Sequence, residues 1–479
     1  MTKHANKRLK IAHFGAFDHD SYGDLIFPLL VEHFLPEFDF IHVSPSGSLT
    51  RWPDAKETIS VAEAIKIDDW DGILVGGGDI VQSNEWTSQI WSQSPLLSFG
   101  ALSSLWCGAS LLAARLDIPC VWNCPGVPFE LPENIISTAS EAVRAVDYLA
   151  VRDSFSADKI SKLLDKPAFI SPDTALGVCE LWPILNTKKN TAVKPLVLSL
   201  TPTDILQRWH EIEILINSFR ERDDFSGEVI FLPLMAWQGH DEITYQKMKL
   251  SSDLILTIKD RSLTLKECAH EIGYSLAYVG SSLHGLITAV SYGVPCVFIK
   301  PLGYKPNTKY LGFMNHFQVS MMIEASNFAV AAKYLNNVPL NSYNSALERL
   351  HNHWVNVRNF LRQKNLTSKK KIWDGVSKLA LISESTMLMF GLSGDQLLNR
   401  GIAIKNENAE LNENTAKLNH ALNHLNQALI ERDIKINNMN QASKSFPWLM
   451  KKLSQTIVSL VLSRKRLQLL MKYLNRDKY

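Results

Sequence analysis

The chain has 479 residues, 46% hydrophobic and 20% charged, with a formal net charge of +2. That length exceeds what one hydrophobic core can organise and points to two or three domains. The composition is that of an ordinary globular protein, and the charge balance gives no global bias toward nucleic acid or membrane. Cys107, Cys120, Cys124, Cys179, Cys268 and Cys296 sit mostly in apolar runs, which fits buried thiols in a reducing compartment better than a disulfide framework. Cys120 and Cys124 lack a second ligand pair at zinc spacing, and no metal cluster is evident.

The first ten residues are polar and basic without a secretory pattern. A first domain is expected over 9–181. Strands read at Ile11–Phe14, Phe40–Val43, Gly72–Val75, Cys120–Trp122, Tyr148–Val151 and Ala168–Ile170, alternating with helical patterns, so a parallel sheet covered on both faces follows. Gly23 and Asp24 form an early turn, with Asp24 read first as a helix N-cap and second as an acceptor ligand. Gly76, Gly77 and Gly78 give backbone access, and Asp79 either holds a sugar hydroxyl or caps a following helix. The stretch from Trp86 to Ala114 has no charged residue and could span a bilayer, but its Ser, Gln, Gly and Pro content favours a loop followed by a buried helix. Arg152 brings a planar fork suited to carboxylate or phosphate, or else a salt bridge to Asp153.

Trp182 to Pro195 reads as a linker, and a second domain is expected over 195–335. Its strands are Leu196–Leu200, Val229–Leu232, Leu254–Leu256, Leu276–Val279 and Val294–Ile299. Between the last two lies a small-residue turn, Gly280, Ser281, Ser282 and Gly285, carrying His284, with a helix opening at Leu286. That helix directs free N–H groups at the turn, so His284 either sits beside an anion site and moves a proton or merely satisfies backbone groups. His240 and Asp241 follow the strand at Val229–Leu232 and either face the cleft or lie in a solvated loop; Lys309 is a second cation or a solvated lysine. Two Rossmann-like domains facing a cleft make a GT-B-like α/β architecture, with ligand outside the carboxyl ends of the strands.

Residues 339–398 read as an amphipathic helical segment packing on both domains. Over 401–440, Ile404, Leu411, Leu418, Leu425 and Met439 share one heptad position, and Leu422, Leu429 and Ile436 the other, with Asn408, Thr415 and Arg432 interrupting the seam. This predicts a coiled coil and a homo-oligomer. The tail over 446–479 opens on Phe446-Pro447-Trp448 and is basic and amphipathic, suiting an anionic membrane surface or a partner protein.

The turn Ser282-Leu283-His284-Gly285 resembles the Arg-Leu-His-Gly segment of polysaccharide pyruvyl transferases. In the family's order, Ser21 to Ile26 is similar to its Asn-Xaa-Gly-Asp turn, and Val75 to Ile80 to its Gly-Gly-Gly turn. Val151 to Ser156 is similar to Arg-Asp-Xaa-Xaa-Ser, and Pro172 to Ala175 to Asp-Pro-Ala. Phe231 through Asp241 resembles the second-domain strand and its His-Asp loop, and Asn307 to Phe313 resembles Asp-Pro-Lys-Val-Xaa-Gly-Phe. The resemblance covers about 9 to 335, and it implies transfer of a pyruvyl group from phosphoenolpyruvate to two hydroxyls of a sugar acceptor, free or lipid-linked, as a cyclic ketal. It implies His284 and Arg152 as the catalytic pair, with Ser282, Leu283, Gly285, Lys309, Gly76, Gly77, Gly78, Asp79, Gly23, Asp24, His240 and Asp241 around donor and acceptor, and no metal or cofactor. Many members carry arginine where this chain has Ser282, which leaves the anion grip to Arg152, Lys309 or another cation. A cytoplasmic protein, peripheral at the inner face of the plasma membrane, is the expected setting. A GT-B glycosyltransferase using a nucleotide sugar and a catalytically silent scaffold remain the alternatives.

Overall fold

The computed structural model describes residues 7–380, apart from 48–49, 51, 83–100, 132, 164–167, 185–192, 236–254, 260–262, 302–307, 318–321, 326–327, 329–330, 332–334, 336–342 and 364–366. His240, Asp241, the expected coiled coil and the basic tail therefore lie outside the described residues.

Two all-parallel sheets organise the chain. The first contains β1 (Lys10–Phe14), β2 (Asp39–Ser44), β3 (Ile59–Ser60), β4 (Gly72–Val75), β5 (Cys120–Asn123), β6 (Tyr148–Val151) and β7 (Phe169–Ile170), in the order β3-β2-β1-β4-β5-β6-β7. The second contains β8 (Lys194–Ser199), β9 (Phe225–Phe231), β10 (Ile255–Ile258), β11 (Ala277–Gly280), β12 (Cys296–Ile299) and β13 (Met322–Ala325), in the order β10-β9-β8-β11-β12-β13. Every residue of β4, β5, β6, β11 and β12 is buried, as strands covered on both faces require. Each sheet thus has the same order, with its first strand beside its fourth. The order reverses between β1 and β4 and again between β8 and β11, and crevices for ligands open at such points, beyond the carboxyl ends of the strands.

The halves meet along α1 (Tyr22–Phe34). Tyr22 N–H donates to the Leu234 carbonyl (2.9 Å), and its hydroxyl lies 2.9 Å from Thr288 Oγ1 in the other half. Ile26 and Phe27 of α1 share one apolar cluster with Leu283, Leu286 and Ile287. Asp54 accepts from the N–H groups of Leu265 and Lys266, so the first half caps a helix of the second.

The described part of the uncharged stretch is a core helix. Ala101–Ser103 leads through a π-helical turn, Ser104–Gly108, into α2 (Ala109–Leu116), with Trp106 fully buried edge-on against Trp122. Among the described residues, no helix is long and apolar enough to cross a membrane.

α3 (Glu133–Arg144) and α4 (Ser154–Ser161) flank β6 of the first sheet, and α5 (Pro202–Asn217) and α6 (Leu265–Tyr274) belong to the second half. α7 (Leu283–Ser291) follows β11, and α8 (Thr308–Met314) follows β12. The chain then returns to the first sheet through α9 (Tyr343–Leu361) and α10 (Lys370–Ala380). Trp354 stacks on Phe34 at 5.0 Å, His353 Nε2 lies 2.9 Å from Asn123 Oδ1, and Lys369 Nζ donates to the Ile118 carbonyl. Arg349 also donates to the His316 carbonyl, just past α8.

Candidate active site

Five loops of the first sheet and two of the second build the site. After β1, Ser21 takes an extended conformation (φ −124°, ψ 120°) and α1 starts at Tyr22. Asp24 is therefore the third helical residue and not the N-cap that its sequence position suggests. Its Oδ2 lies 3.3 Å from His19 Nδ1. Gly23 is demanded by contact: a Cβ there would fall 1.8 Å from His284 Nδ1.

After β4, Gly76, Gly77 and Gly78 all have positive φ (146°, 92° and 74°), a run that only glycine adopts without strain. A side chain on Gly78 would stand 2.6 Å from Asp24 Oδ1. Asp79 follows, and its Oδ1 accepts from Arg152 Nη2. Gly126, after β5, completes the fit, because a Cβ there would strike both Asp79 and Arg152.

Arg152, at the end of β6, is 4% exposed and faces three carboxylates. Besides Asp79, its Nε is 3.6 Å from Asp153 Oδ2 and its Nη1 is 3.4 Å from Asp173 Oδ2. Burial opposes the guanidinium charge, but these three carboxylates outweigh it and hold the pKa above its usual value. Asp153 caps α4 through Ser156 N–H (2.7 Å), and Asp173 accepts from Ala175 N–H (3.0 Å). Asp153 and Asp173 are thereby fixed before they meet the arginine.

The second sheet contributes His284. Ser282 Oγ accepts from Gly285 N–H (3.3 Å) and caps α7, which begins at Leu283. The helix opens three residues earlier than the expected Leu286, because a capping serine stands before it. His284 therefore occupies the first turn of α7 and not a loop. Leu283 is buried in the core, and Gly285 lies against Tyr278, whose hydroxyl would be 2.0 Å from an added Cβ. The Phe27 ring meets His284 edge-on at 5.5 Å, and His284 Nε2 comes within 3.8 Å of Asp173 Oδ2. His284 and Arg152, from opposite halves, thus converge on one oxygen.

The electrostatics separate two histidines. Burial, aided by Arg152 and Lys309, lowers the His284 pKa in spite of Asp173 and Asp24, so its imidazole is neutral near pH 7. For His19, burial also disfavours the charge, yet the Asp24 hydrogen bond and the charges of Asp24, Asp18 and Asp20 raise its pKa. Asp24 is desolvated too, but His19 and His284 hold it below the usual carboxylate range. Lys309 on α8 is lowered by burial and by Arg152, against the pull of Asp79 and Asp24. Its helix sits on Asp153, where Gly312 permits close approach. Arg152 Nε and His284 Nε2 are buried and make no hydrogen bond among the described residues.

The structure brings together His284, Arg152, Lys309, Asp79, Asp24, Gly23 and the three glycines. Ser282, Leu283 and Gly285 build the helix start beneath the histidine. His19, Gly126 and the role of Asp173 were not legible in sequence. His19 lies in an acidic run, Asp18-His19-Asp20, which offered the only signal.

No curated protein matches the chain. Among solved structures it is similar to the UDP-GlcNAc 2-epimerase of Methanocaldococcus jannaschii in complex with UDP-GlcNAc and UDP, with 12% identity, 78% of this chain and 100% of that chain covered, and a TM-score of 0.39. It is also similar to S. aureus MnaA with UDP (14%, 77% and 95%, TM-score 0.44) and to the Neisseria meningitidis UDP-GlcNAc 2-epimerase bound to UDP-GlcNAc (11%, 78% and 100%, TM-score 0.40). The polysaccharide pyruvyl transferase family model matches residues 22–301. That span is more than half of the chain and holds Asp24, Asp79, Arg152, Asp173 and His284, while Lys309 lies beyond it. The chain belongs to the polysaccharide pyruvyl transferase family.

Proposed function

We propose that the protein transfers the pyruvyl group of phosphoenolpyruvate to two hydroxyls of one sugar, forming a cyclic ketal and releasing phosphate. The acceptor is a surface polysaccharide or its lipid-linked precursor. Such a reaction protonates the methylene carbon, builds oxocarbenium character at the neighbouring carbon and accepts two hydroxyl oxygens there. It calls for proton-transfer groups, cations for carboxylate and phosphate, and fixed geometry.

One observation carries this reading. Arg152 and His284 reach a single carboxylate oxygen from opposite halves, and each keeps a buried nitrogen without a hydrogen bond among the described residues. A donor oxygen at that point would take a charge-assisted bond from the guanidinium beside a neutral imidazole. Lys309 supplies a second positive charge, which matters because Asp79, Asp153 and Asp173 already offset Arg152. Beyond the described residues, the heptad seam and basic tail support an oligomer held at an anionic membrane surface, close to lipid-linked acceptors.

Calorimetric titration distinguishes this from nucleotide-sugar chemistry. Phosphoenolpyruvate should bind the full chain, and Arg152→Met should abolish the binding. Saturable binding of a nucleoside diphosphate with no response to phosphoenolpyruvate would overturn the reading.

A further inference from the structure

Ketal formation as proposed above moves two hydroxyl protons, one to the methylene carbon and one to the departing phosphate. It therefore needs one group that begins protonated and another that begins bare. We propose that His19 is the second proton-transferring residue of this site, beginning as the acid where His284 begins as the base. The inference rests on the pyruvyl-transfer reading and deepens it.

Position supports the pairing. His19 follows β1 at the crevice of the first sheet, and His284 follows β11 at the crevice of the second. Asp24 joins them: its Oδ2 is 3.3 Å from His19 Nδ1, and its charge acts on His284. Gly23, beside it, lies directly against the His284 ring. Exposure divides the cluster into a floor and a rim. The side chains of Arg152, Asp153 and Asp173 are 3–4% exposed, whereas His19, Asp24, Asp79 and His284 keep 12–26%. An entering substrate meets the rim first.

Their surroundings differ in kind. His19 faces the carboxylates of Asp18, Asp20 and Asp24. His284 faces Asp173 and Asp24 but also Arg152 and Lys309, and Phe27 covers it. Titratable groups driven apart in this way mark an acid and a base.

The protons then balance over two steps. In the first, His19 Nε2–H protonates the methylene carbon, which becomes a methyl group, while a sugar hydroxyl adds to the adjacent carbon and gives its proton to His284. In the second, the carbon–oxygen bond to phosphate breaks, and His284 returns its proton to the leaving oxygen. The other hydroxyl closes the ring and restores the proton on His19. Both histidines end as they began, and hydrogen phosphate leaves. Each histidine serves once as acid and once as base, which is why two are needed.

The test uses the full chain with phosphoenolpyruvate and an acceptor oligosaccharide, in wild type and in His19→Gln. Glutamine can still hydrogen-bond Asp24 but cannot donate a proton as an acid. The wild-type pH profile should be bell-shaped, rising as His284 loses its proton and falling as His19 loses its own. His19→Gln should lower kcat by about 10²–10⁴-fold, leave the donor KM near its original value and erase the alkaline limb. A variant that keeps the alkaline limb, whatever its kcat, would overturn the assignment and leave His19 as a positioning partner of Asp24. Histidine-labelled NMR titration supplies an independent readout. His19 should titrate above about 6.5 and His284 below it, and the reverse order would overturn the proposal even if turnover behaved as expected. Absence of phosphate release from phosphoenolpyruvate by wild type would instead bring down the pyruvyl-transfer reading, and the proton assignment with it.

Discussion

Gly23→Ala is the smallest change that should disable the site without dismantling the fold. An added Cβ at Gly23 would lie 1.8 Å from His284 Nδ1, 2.2 Å from its Cγ and 2.7 Å from its Cβ. Ordinary van der Waals contact begins near 3.4 Å. The imidazole must therefore retreat by about 1.5 Å, and misplacement of about 1 Å in a reacting group is enough to cost roughly 100-fold in rate. Retreat is hindered, because Phe27 meets the ring edge-on and Ser282 and Gly285 fix the first turn of α7. Overpacking of this kind costs about 1–3 kcal/mol of stability, so the variant should fold with a lowered melting temperature. Gly375→Ala is the matched control, since a Cβ there meets nothing within 4 Å among the described residues and the site on α10 gains helix propensity. Steady-state kinetics and thermal melts on both variants decide the matter. Gly23→Ala should lose at least about 100-fold in kcat while remaining folded, and Gly375→Ala should match wild type. Full turnover by Gly23→Ala would refute the claim that His284 works from the position described.

Asp173→Asn keeps the hydrogen bond from Ala175 but removes a charge that raises the His284 pKa, so the acidic limb of the pH–rate profile should move to lower pH; an unmoved limb would mean that the 3.8 Å approach has no electrostatic effect. His353 is a stability probe, with burial depressing its pKa from 6.5 to about 3. Below pH 6.5 the unfolded chain takes up a proton that the folded protein refuses, so this histidine removes stability at up to ~1.4 kcal/mol per pH unit as the pH falls toward 3. Denaturant unfolding should show a shallower acid decline in His353→Gln than in wild type, and parallel declines would contradict the assignment. Truncation at Gly401 should reduce the number of chains per particle in solution and abolish salt-sensitive binding to anionic vesicles, each lysine or arginine near the surface being worth about 1 kcal/mol. Unchanged oligomer size and vesicle binding would remove the role proposed for the tail.

The sheets were readable because a parallel strand covered on both faces is an uninterrupted apolar run. Gly72–Val75 and Tyr148–Val151 coincide with β4 and β6. β3, with only two residues, gives no such run, and β13 is not legible in sequence either. Two helix starts were misplaced for one physical reason. Ser21 and Ser282 stand in extended conformation before their helices, which draws Asp24 and His284 into first turns that sequence spacing assigns to caps or loops. The glycines of the site were legible because positive φ and close approach exclude side chains. His19 and the role of Asp173, which lies in the Pro172 to Ala175 segment, were not, since their importance arises only when loops from different strands meet. Arg152 shows this most clearly: its type and position at a strand end were visible, but the three carboxylates around it come from three separate loops.

Turnover with phosphoenolpyruvate tests the central claim most directly. Purified full-length protein is incubated with phosphoenolpyruvate and candidate lipid-linked oligosaccharides, inorganic phosphate is followed, and the product is examined by NMR for a ketal methyl group. Wild type should release one phosphate per ketal formed, and His284→Ala should form neither while keeping its melting profile. Acceptor-dependent phosphate release by His284→Ala at the wild-type rate, or no ketal from wild type with any acceptor, would contradict the account.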